Sequence, residues 1–410
     1  MTVHVVGAGL AGLAASVRLA KAGRTVVLHE AAGHAGGRCR SFLDANLDRV
    51  IDNGTHLILS ANPCLFAYLD AIGGRLVEHA PAQFPFFDLR SGAFWTIRPN
   101  AGPIPWWIFS PTRRVAGTKP GDYLGGHRLV NAPRHATVAE RTKGPLADRL
   151  WKPLAEAVLN TSPAEGQARL LGAVIARTLM KGERHCRPYS APDGLSAALV
   201  EPALETLSEA GAELRFQRRL IGVEAQALIF ENERLALGFD DRAILALPSW
   251  VMAGFLPMKL PAATRAIVNA HFRLDRVPHL PGDRPYLGLV GGAAQWLAQR
   301  GDVLSVTVSA ADALVGQSND AIATTLWRDC ARVLGRDPLA VPPVRVLKER
   351  RATLAHTPAQ EALRPKAATQ FPRLVLAGDW TATGLPSTLE GAVQSGFTAA
   401  DLVLADLAKG

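Results

Sequence analysis

The chemistry with the clearest spacing lies near the N-terminus, in Gly7-Ala8-Gly9-Leu10-Ala11-Gly12. Three glycines in this pattern suit a pyrophosphate. Gly7 permits a tight turn out of a strand. Gly9 lets the backbone come close to the phosphates, and Gly12 lets a following helix pack against a sheet. The helix that begins there offers unpaired N–H groups and a partial positive charge. Glu30 can accept hydrogen bonds from both hydroxyls of a ribose. Its charge would repel an extra 2′-phosphate, which argues against NADP in this site.

These residues need particular elements around them. Thr2 to Val6 reads as a short buried strand, Leu13 to Ala22 as a helix closed by Gly23, and Thr25 to Leu28 as a second strand that leads to Glu30. Strand, glycine turn, helix, strand and acid together form the dinucleotide fingerprint. Further on, Ser196 to Glu209 is predicted to be one helix, followed by strands over Gly211–Phe216, Leu220–Val223 and Ala243–Leu247. Leu374 to Ala377 is a last strand, and a helix runs from there to the C-terminus.

Bulk properties set the bounds. With 410 residues the chain is too long for one ordinary core, which points to two domains. At 48% hydrophobic and 20% charged it is globular and not disordered. No apolar run reaches the roughly 18–20 residues that span a bilayer. The N-terminus lacks the basic n-region of a signal peptide, so the expectation is a cytoplasmic chain. Cys39, Cys64, Cys186 and Cys330 form no Cys-x-x-Cys pair and lie at no zinc spacing, so neither a disulfide nor a metal is expected. The net charge of +9 is dispersed and accompanies no nucleic-acid-binding motif, which leaves an anionic membrane face as the better partner.

The segment after Glu30, ending in Gly36-Gly37-Arg38, resembles the continuation found in the amine oxidase and carotenoid desaturase superfamily of flavoproteins. Near the C-terminus Gly378-Asp379-Trp380-Thr381, then Leu385 to Ala392, resembles the way that superfamily closes its FAD domain. The resemblance implies FAD as cofactor, with Arg38 offering a fork of donors near the pyrophosphate. It implies Asp379 on the ribityl chain or pyrophosphate, beside Gly378. It also implies a helix beginning near Glu390-Gly391-Ala392 that points its N–H groups at the flavin or pyrophosphate. Leu220 matches the stretch that lays backbone over the adenine. The expected architecture is α/β: a Rossmann-type FAD-binding domain of the amine oxidase and phytoene desaturase kind, with a discontinuous α+β substrate domain. Residues 1–55, 190–250 and 345–410 are assigned to the first, and 56–189 and 251–344 to the second.

Asp52-Asn53-Gly54-Thr55-His56 with Asn62-Pro63 resembles plant-type carotene desaturases, and resembles the bacterial hydroxysqualene dehydroxylase family more closely. Stretches at 95–102, 105–109, 150–154, 159–161, 267–272, 304–312 and 348–353 resemble that family too, while Thr55 stands where its pattern has glutamine. The resemblance implies removal of the hydroxyl of hydroxysqualene, a C30 allylic alcohol, to give squalene for hopanoid or other isoprenoid synthesis. That reaction needs reduced FAD, a donor that helps the hydroxyl leave as water, and an apolar tunnel. Candidate catalytic residues are His56, beside the expected flavin, His271, and Lys348 and Arg351 on a strand leading back to the FAD domain. Trp106, Trp107, Ile108 and Phe109 beside Arg113 and Arg114 suit a membrane interface, as does a buried aromatic cluster. Peripheral contact with the inner membrane face is therefore expected. No second dinucleotide motif stands in strand–helix context, so electrons are expected from an external donor or reductase. A carotene desaturase or isomerase, an amine oxidase, and a non-catalytic FAD-binding lipid carrier remain as alternatives.

Overall fold

In the computed structural model, which describes residues 1–407, five parallel strands form one sheet. Their order is Glu213–Arg215, Thr25–His29, Thr2–Val6, Arg242–Leu245 and Leu374–Leu376. The strands read as near-continuous apolar runs because both faces are covered. Val3 and Val5 face helices Leu10–Lys21, Glu201–Glu209 and Leu389–Leu407. Val6, Ala243 and Leu245 face the other way, onto the antiparallel meander Leu220–Glu224, Ala227–Phe230 and Glu233–Ala236. The first and last helices of the chain cross closely at Gly396, where a Cβ would stand 2.2 Å from the Ala11 carbonyl oxygen.

The helix expected over Ser196–Glu209 is two, Leu195–Leu199 and Glu201–Glu209, with Val200 between them. Pro202 is the physical reason. It has no N–H to continue the ladder, and its ring crowds the preceding turn.

A second sheet has seven strands, in the order Val344–Leu354, Thr264–Arg273, Val303–Val308, Trp296–Arg300, Tyr286–Val290, Phe84–Asp88 and Phe94–Ile97. Val344–Leu354, placed by sequence at the start of the last FAD-binding segment, is an edge of this sheet and pairs antiparallel with Thr264–Arg273. On one face Val268, Ala270, Phe272, Leu304 and Val306 pack on helix Asn319–Leu334 through Leu326 and Trp327. That helix begins at Ser318, whose Oγ accepts the Ala321 N–H, and ends at Gly335 in the left-handed region. Toward the far end of the sheet Phe86, Trp95 and Ile97 pack on helical segments between residues 124 and 177. A cavity lies against this second sheet, lined also by helical segments within 150–179 and by residues 385–390.

Candidate active site

The glycine turn is built as its residue types require. Gly7 has φ +102°, and a Cβ there would stand 2.6 Å from the Ala246 carbonyl oxygen. A Cβ on Gly12 would lie 1.8 Å from the Gly7 carbonyl oxygen, so the start of the helix, with Leu10 and Ala11 buried on it, packs directly on the turn. At Gly9 the space a Cβ would take is open. It is the cradle a pyrophosphate needs, at the head of a twelve-residue helix. Gly36 donates its N–H to the Ala8 carbonyl at 2.8 Å, and Gly37 lies against Gly9, so the two glycine segments form one surface.

Glu30 is held in place by two backbone groups: Ala8 N–H donates to Oε2 and Ala32 N–H to Oε1, both at 2.8 Å. Each carboxylate oxygen has a second lone pair for a ribose hydroxyl. The N–H of Arg218 donates to the Glu30 carbonyl and that of Gln217 to the Ala32 carbonyl. These bonds bring the Leu220 segment alongside, while the Leu220 side chain itself is buried under the sheet.

The motifs at the two ends of the chain meet. Arg38 Nη2 donates to Asp379 Oδ2 at 2.8 Å, and Nη1 donates to the Ala352 carbonyl. The Asp379 carboxylate beside it raises the guanidinium pKa further. The Arg38 side chain is 43% accessible. Gly378 donates its N–H to Ser395 Oγ at 2.8 Å. Gly391 donates to Thr388 Oγ1 and Ala392 to the Thr388 carbonyl, which closes the first turn of the last helix. Glu390 has another partner: its carboxylate accepts the N–H groups of Cys64 and Leu65 at 3.1 and 2.8 Å. It caps helix Pro63–Ile72 and so joins the segment after His56 to the last helix.

A cluster that sequence reasoning missed holds the loop between Asp379 and Glu390. Arg364 is buried and all five of its donors are used: on Thr381 O, Leu385 O, Asp379 O, Thr383 Oγ1 and Glu361 Oε2. The other Glu361 oxygen lies 2.6 Å from Nδ1 of the fully buried His356. Ser387 N–H donates to His356 Nε2, so the imidazole proton sits on Nδ1 and is donated to Glu361. Burial works to raise the Glu361 pKa, but His356 and Arg364 together hold it below the usual value. No local pattern marks these residues. Their partners lie up to 31 positions away on an irregular loop, and only the fold brings them together.

The cavity has a volume of about 700 Å³. Leu385 to Glu390 line it together with Asp52, Thr55 and His56, so it adjoins the C-terminal FAD motif. Apolar side chains that include Leu154, Val158, Leu171, Ile175 and Trp296 make up much of its wall. Polar groups line it too, among them Arg177, Gln299, Ser305 and Thr307. Asp52 accepts from Arg300 Nη1 at 2.6 Å and from the Leu195 N–H at 2.9 Å. A Cβ on Gly54 would stand 3.7 Å from both His56 Nε2 and Asn269 Nδ2. Asn269, which the sequence reading did not single out, accepts from Thr307 Oγ1 at 2.8 Å.

The four candidate catalytic residues occupy different places. His56 faces the cavity. The surrounding protein lowers its pKa by desolvation, Asp52 opposes this, and Arg38 adds to it. His271 is 1% exposed and lies beside Ser305 on the same face of the sheet, outside the cavity lining, with Nδ1 2.8 Å from Ser305 Oγ. Burial pushes its pKa down to about 4. Lys348 donates to the Gln317 carbonyl, outside the cavity lining. Arg351 stacks its guanidinium 5.4 Å from the Trp250 ring and is likewise outside that lining. The four cysteines are free, and burial raises the Cys39 thiol to about 12. Among the described residues no group of three His, Cys, Asp or Glu side chains could hold a metal ion.

Comparison with known proteins agrees with this geometry. The family model for flavin containing amine oxidoreductases matches residues 10–404. The chain is 46% identical to the hydroxysqualene dehydroxylase of Rhodopseudomonas palustris and 44% identical to that of Sinorhizobium fredii, each over 98% of both chains. Among solved structures, a putrescine oxidase double mutant superposes with a TM-score of 0.73 at 16% identity, covering 99% of this chain and 100% of that one, a likeness of fold. The chain therefore belongs to the flavin containing amine oxidoreductase family and, within it, to the hydroxysqualene dehydroxylase family.

Proposed function

We propose that the chain removes the hydroxyl of hydroxysqualene reductively and releases squalene. The observation that carries this is a largely apolar cavity of about 700 Å³ that reaches the C-terminal FAD motif at residues 385–390, in a chain 46% identical to a hydroxysqualene dehydroxylase. Cavities of roughly 300–1,000 Å³ are typical of small-molecule sites. FAD is the cofactor; when bound and reduced it supplies the hydride.

The residues divide the remaining work. Gly7, Gly9, Leu10, Ala11, Gly12, Gly36 and Gly37 would hold the pyrophosphate, with Arg38 and Asp379 at its flank. Glu30 would hold the adenosine ribose, and the backbone near Leu220 would lie over the adenine. Gly378, Gly391 and Ala392 would shape the turn and helix start beside the flavin, and Glu390 would keep that start fixed by capping its neighbour. The apolar walls align the long chain and keep water away from the reacting carbon. His56, on the cavity lining, would orient the departing hydroxyl. Its depressed pKa makes it neutral near pH 7, so it acts as a hydrogen-bond partner and not as a fixed charge.

We also propose peripheral contact with the anionic inner face of the membrane, from the cytoplasmic side. Trp106 and Phe109 are 63% and 58% exposed, Ile104 joins them, and Arg113 stands beside them, while Trp107 is buried. Aromatic and basic residues together suit a lipid surface. No helix among the described residues is long and apolar enough to cross a membrane. Co-sedimentation with anionic vesicles, reduced by Trp106→Ala with Phe109→Ala, tests this contact. The electrons come from an external donor or reductase; saturable reduction of the purified flavoprotein by NADPH alone would refute that.

The central test is anaerobic reduction of the FAD-loaded protein followed by hydroxysqualene in detergent. Reoxidation of the flavin with matching squalene formation is expected. A flavin that stays reduced sinks the substrate assignment and turns attention to carotenes with the oxidised protein.

A further inference from the structure

Most of the cavity wall is apolar, but one strand lays hydroxyl groups along it. Val303–Val308 turns Leu304, Val306 and Val308 into the core and leaves Ser305 and Thr307 toward the cavity, as the period of two in a strand dictates. The neighbouring strand Thr264–Arg273 flanks this wall with two buried polar side chains on the same face, Asn269 and His271. They stand directly opposite in register, His271 across from Ser305 and Asn269 across from Thr307. Buried polar groups on such a face call for partners, and each meets the hydroxyl facing it.

The two hydroxyls differ in what remains free. Thr307 Oγ1 donates its proton to Asn269 Oδ1 at 2.8 Å, so that proton is committed. Ser305 Oγ lies 2.8 Å from His271 Nδ1, and His271 Nε2 has no hydrogen-bond partner. A proton on Nε2 would reach at best the Asp52 backbone, outside good hydrogen-bond geometry, which makes that the costlier tautomer. The proton belongs on Nδ1, where it is donated to Ser305 Oγ. Ser305 then has its own O–H left to direct into the cavity. Burial keeps His271 neutral near pH 7, so this arrangement persists under physiological conditions.

We propose that Ser305 receives the substrate's hydroxyl together with His56, donating its O–H to the hydroxyl oxygen, with His271 as the positioning residue beside it. The site thereby tells a C30 allylic alcohol from the corresponding hydrocarbon, which leaves the Ser305 donor unpaired. The contact also strengthens as charge gathers on the oxygen during C–O cleavage. This inference rests on the reductive dehydroxylation proposed above.

The test is the ratio of affinities for hydroxysqualene and squalene, measured by equilibrium binding to the FAD-loaded protein in one detergent. Ser305→Ala should lower that ratio about tenfold, the worth of one hydrogen bond, through weaker binding of the alcohol. Squalene affinity and flavin content should stay as in the wild type. Thr307→Val should leave the ratio within about twofold, since its proton already has a partner. His271→Leu should reproduce the loss and His271→Gln, which can still present a donor, should restore part of it. A wild-type ratio in Ser305→Ala, or an equal fall in Thr307→Val, overturns the inference. Should the alanine variant lose its flavin, Ser305→Cys reads the same ratio with a weaker donor of similar size. If the wild type binds the alcohol in preference but never converts it, the reaction proposal falls while the Ser305 assignment stands.

Discussion

The region around the FAD motifs and the region that forms the cavity are built by different means. In the first, backbone does the work. The Gly7–Gly12 turn, the Gly36–Gly37 segment and the head of helix Leu10–Lys21 present N–H groups and open space, and the residue types are those that permit the backbone path. In the second, side chains do the work. Leu154, Ile175 and Trp296 contribute to a largely apolar wall, and His56, Ser305 and Thr307 add polar groups, with Asn269 bonded to Thr307. A backbone site tolerates few residue types and leaves a short, recognisable pattern. A side-chain cavity tolerates many combinations of similar volume, so its residues are dispersed along the chain and carry no local signature.

That contrast can be broken by experiment. Gly12→Val would place a Cβ within 1.8 Å of the Gly7 carbonyl oxygen and should abolish flavin binding, read as flavin absorbance per chain. Leu154→Ala, in the cavity wall, should keep its full flavin content; equal losses would erase the distinction between the two regions. Arg364→Met should cost about 3–5 kcal/mol in denaturant unfolding, because it leaves Glu361 buried without its cation. The exposed pair Arg18–Asp401, by comparison, should cost no more than about 1 kcal/mol when Arg18→Met removes it.

A pH series sharpens the same point for buried histidines. Burial lowers His29 to about 3 and His271 to about 4, against 6.5 for the unfolded chain. As pH falls below 6.5 the unfolded chain takes up protons first. Stability is therefore complete above that pH and declines toward the folded values, by about 1.4 kcal/mol per pH unit for each group. His29→Phe, which keeps a ring to stack on Phe230, should flatten that acid limb in urea unfolding, and an unchanged slope would exclude His29 as a contributor. His56→Asn should lower turnover roughly 10²-fold with flavin content intact, the scale of one positioned acid–base or hydrogen-bonding group. The smallest effect is expected of Lys348→Met, within about twofold in turnover, since its ammonium reaches Gln317 and not the cavity.

Much of the cofactor region was legible before any coordinates. Glu30 at the end of the second strand, the paired glycines before Arg38, and Asp379 after the last strand all follow from local pattern, and the parallel sheet carries them where the pattern implies. The single helix expected over Ser196–Glu209 failed at Pro202 because apolar periodicity outweighed a breaker that was visible in the same stretch. Glu390 was legible as part of a motif, but its bonds to Cys64 and Leu65 were not, since they span more than 320 residues of sequence.

The sequence by itself determined the nature of the cofactor site, because a turn that must approach a pyrophosphate admits only certain residues at certain spacings. Tertiary structure alone decided which side chains share the cavity. Val344–Leu354 pairs with the seven-stranded sheet, which leaves Lys348 outside the wall, and the register of two antiparallel strands sets His271 beside Ser305 and Asn269 beside Thr307. Those pairings depend on strand register and long-range packing, which no single segment encodes. His356, Glu361 and Arg364 show the same dependence, for each is unremarkable in its own stretch. Together they form a buried, fully bonded network only once the loop from Asp379 to Ser387 folds over them.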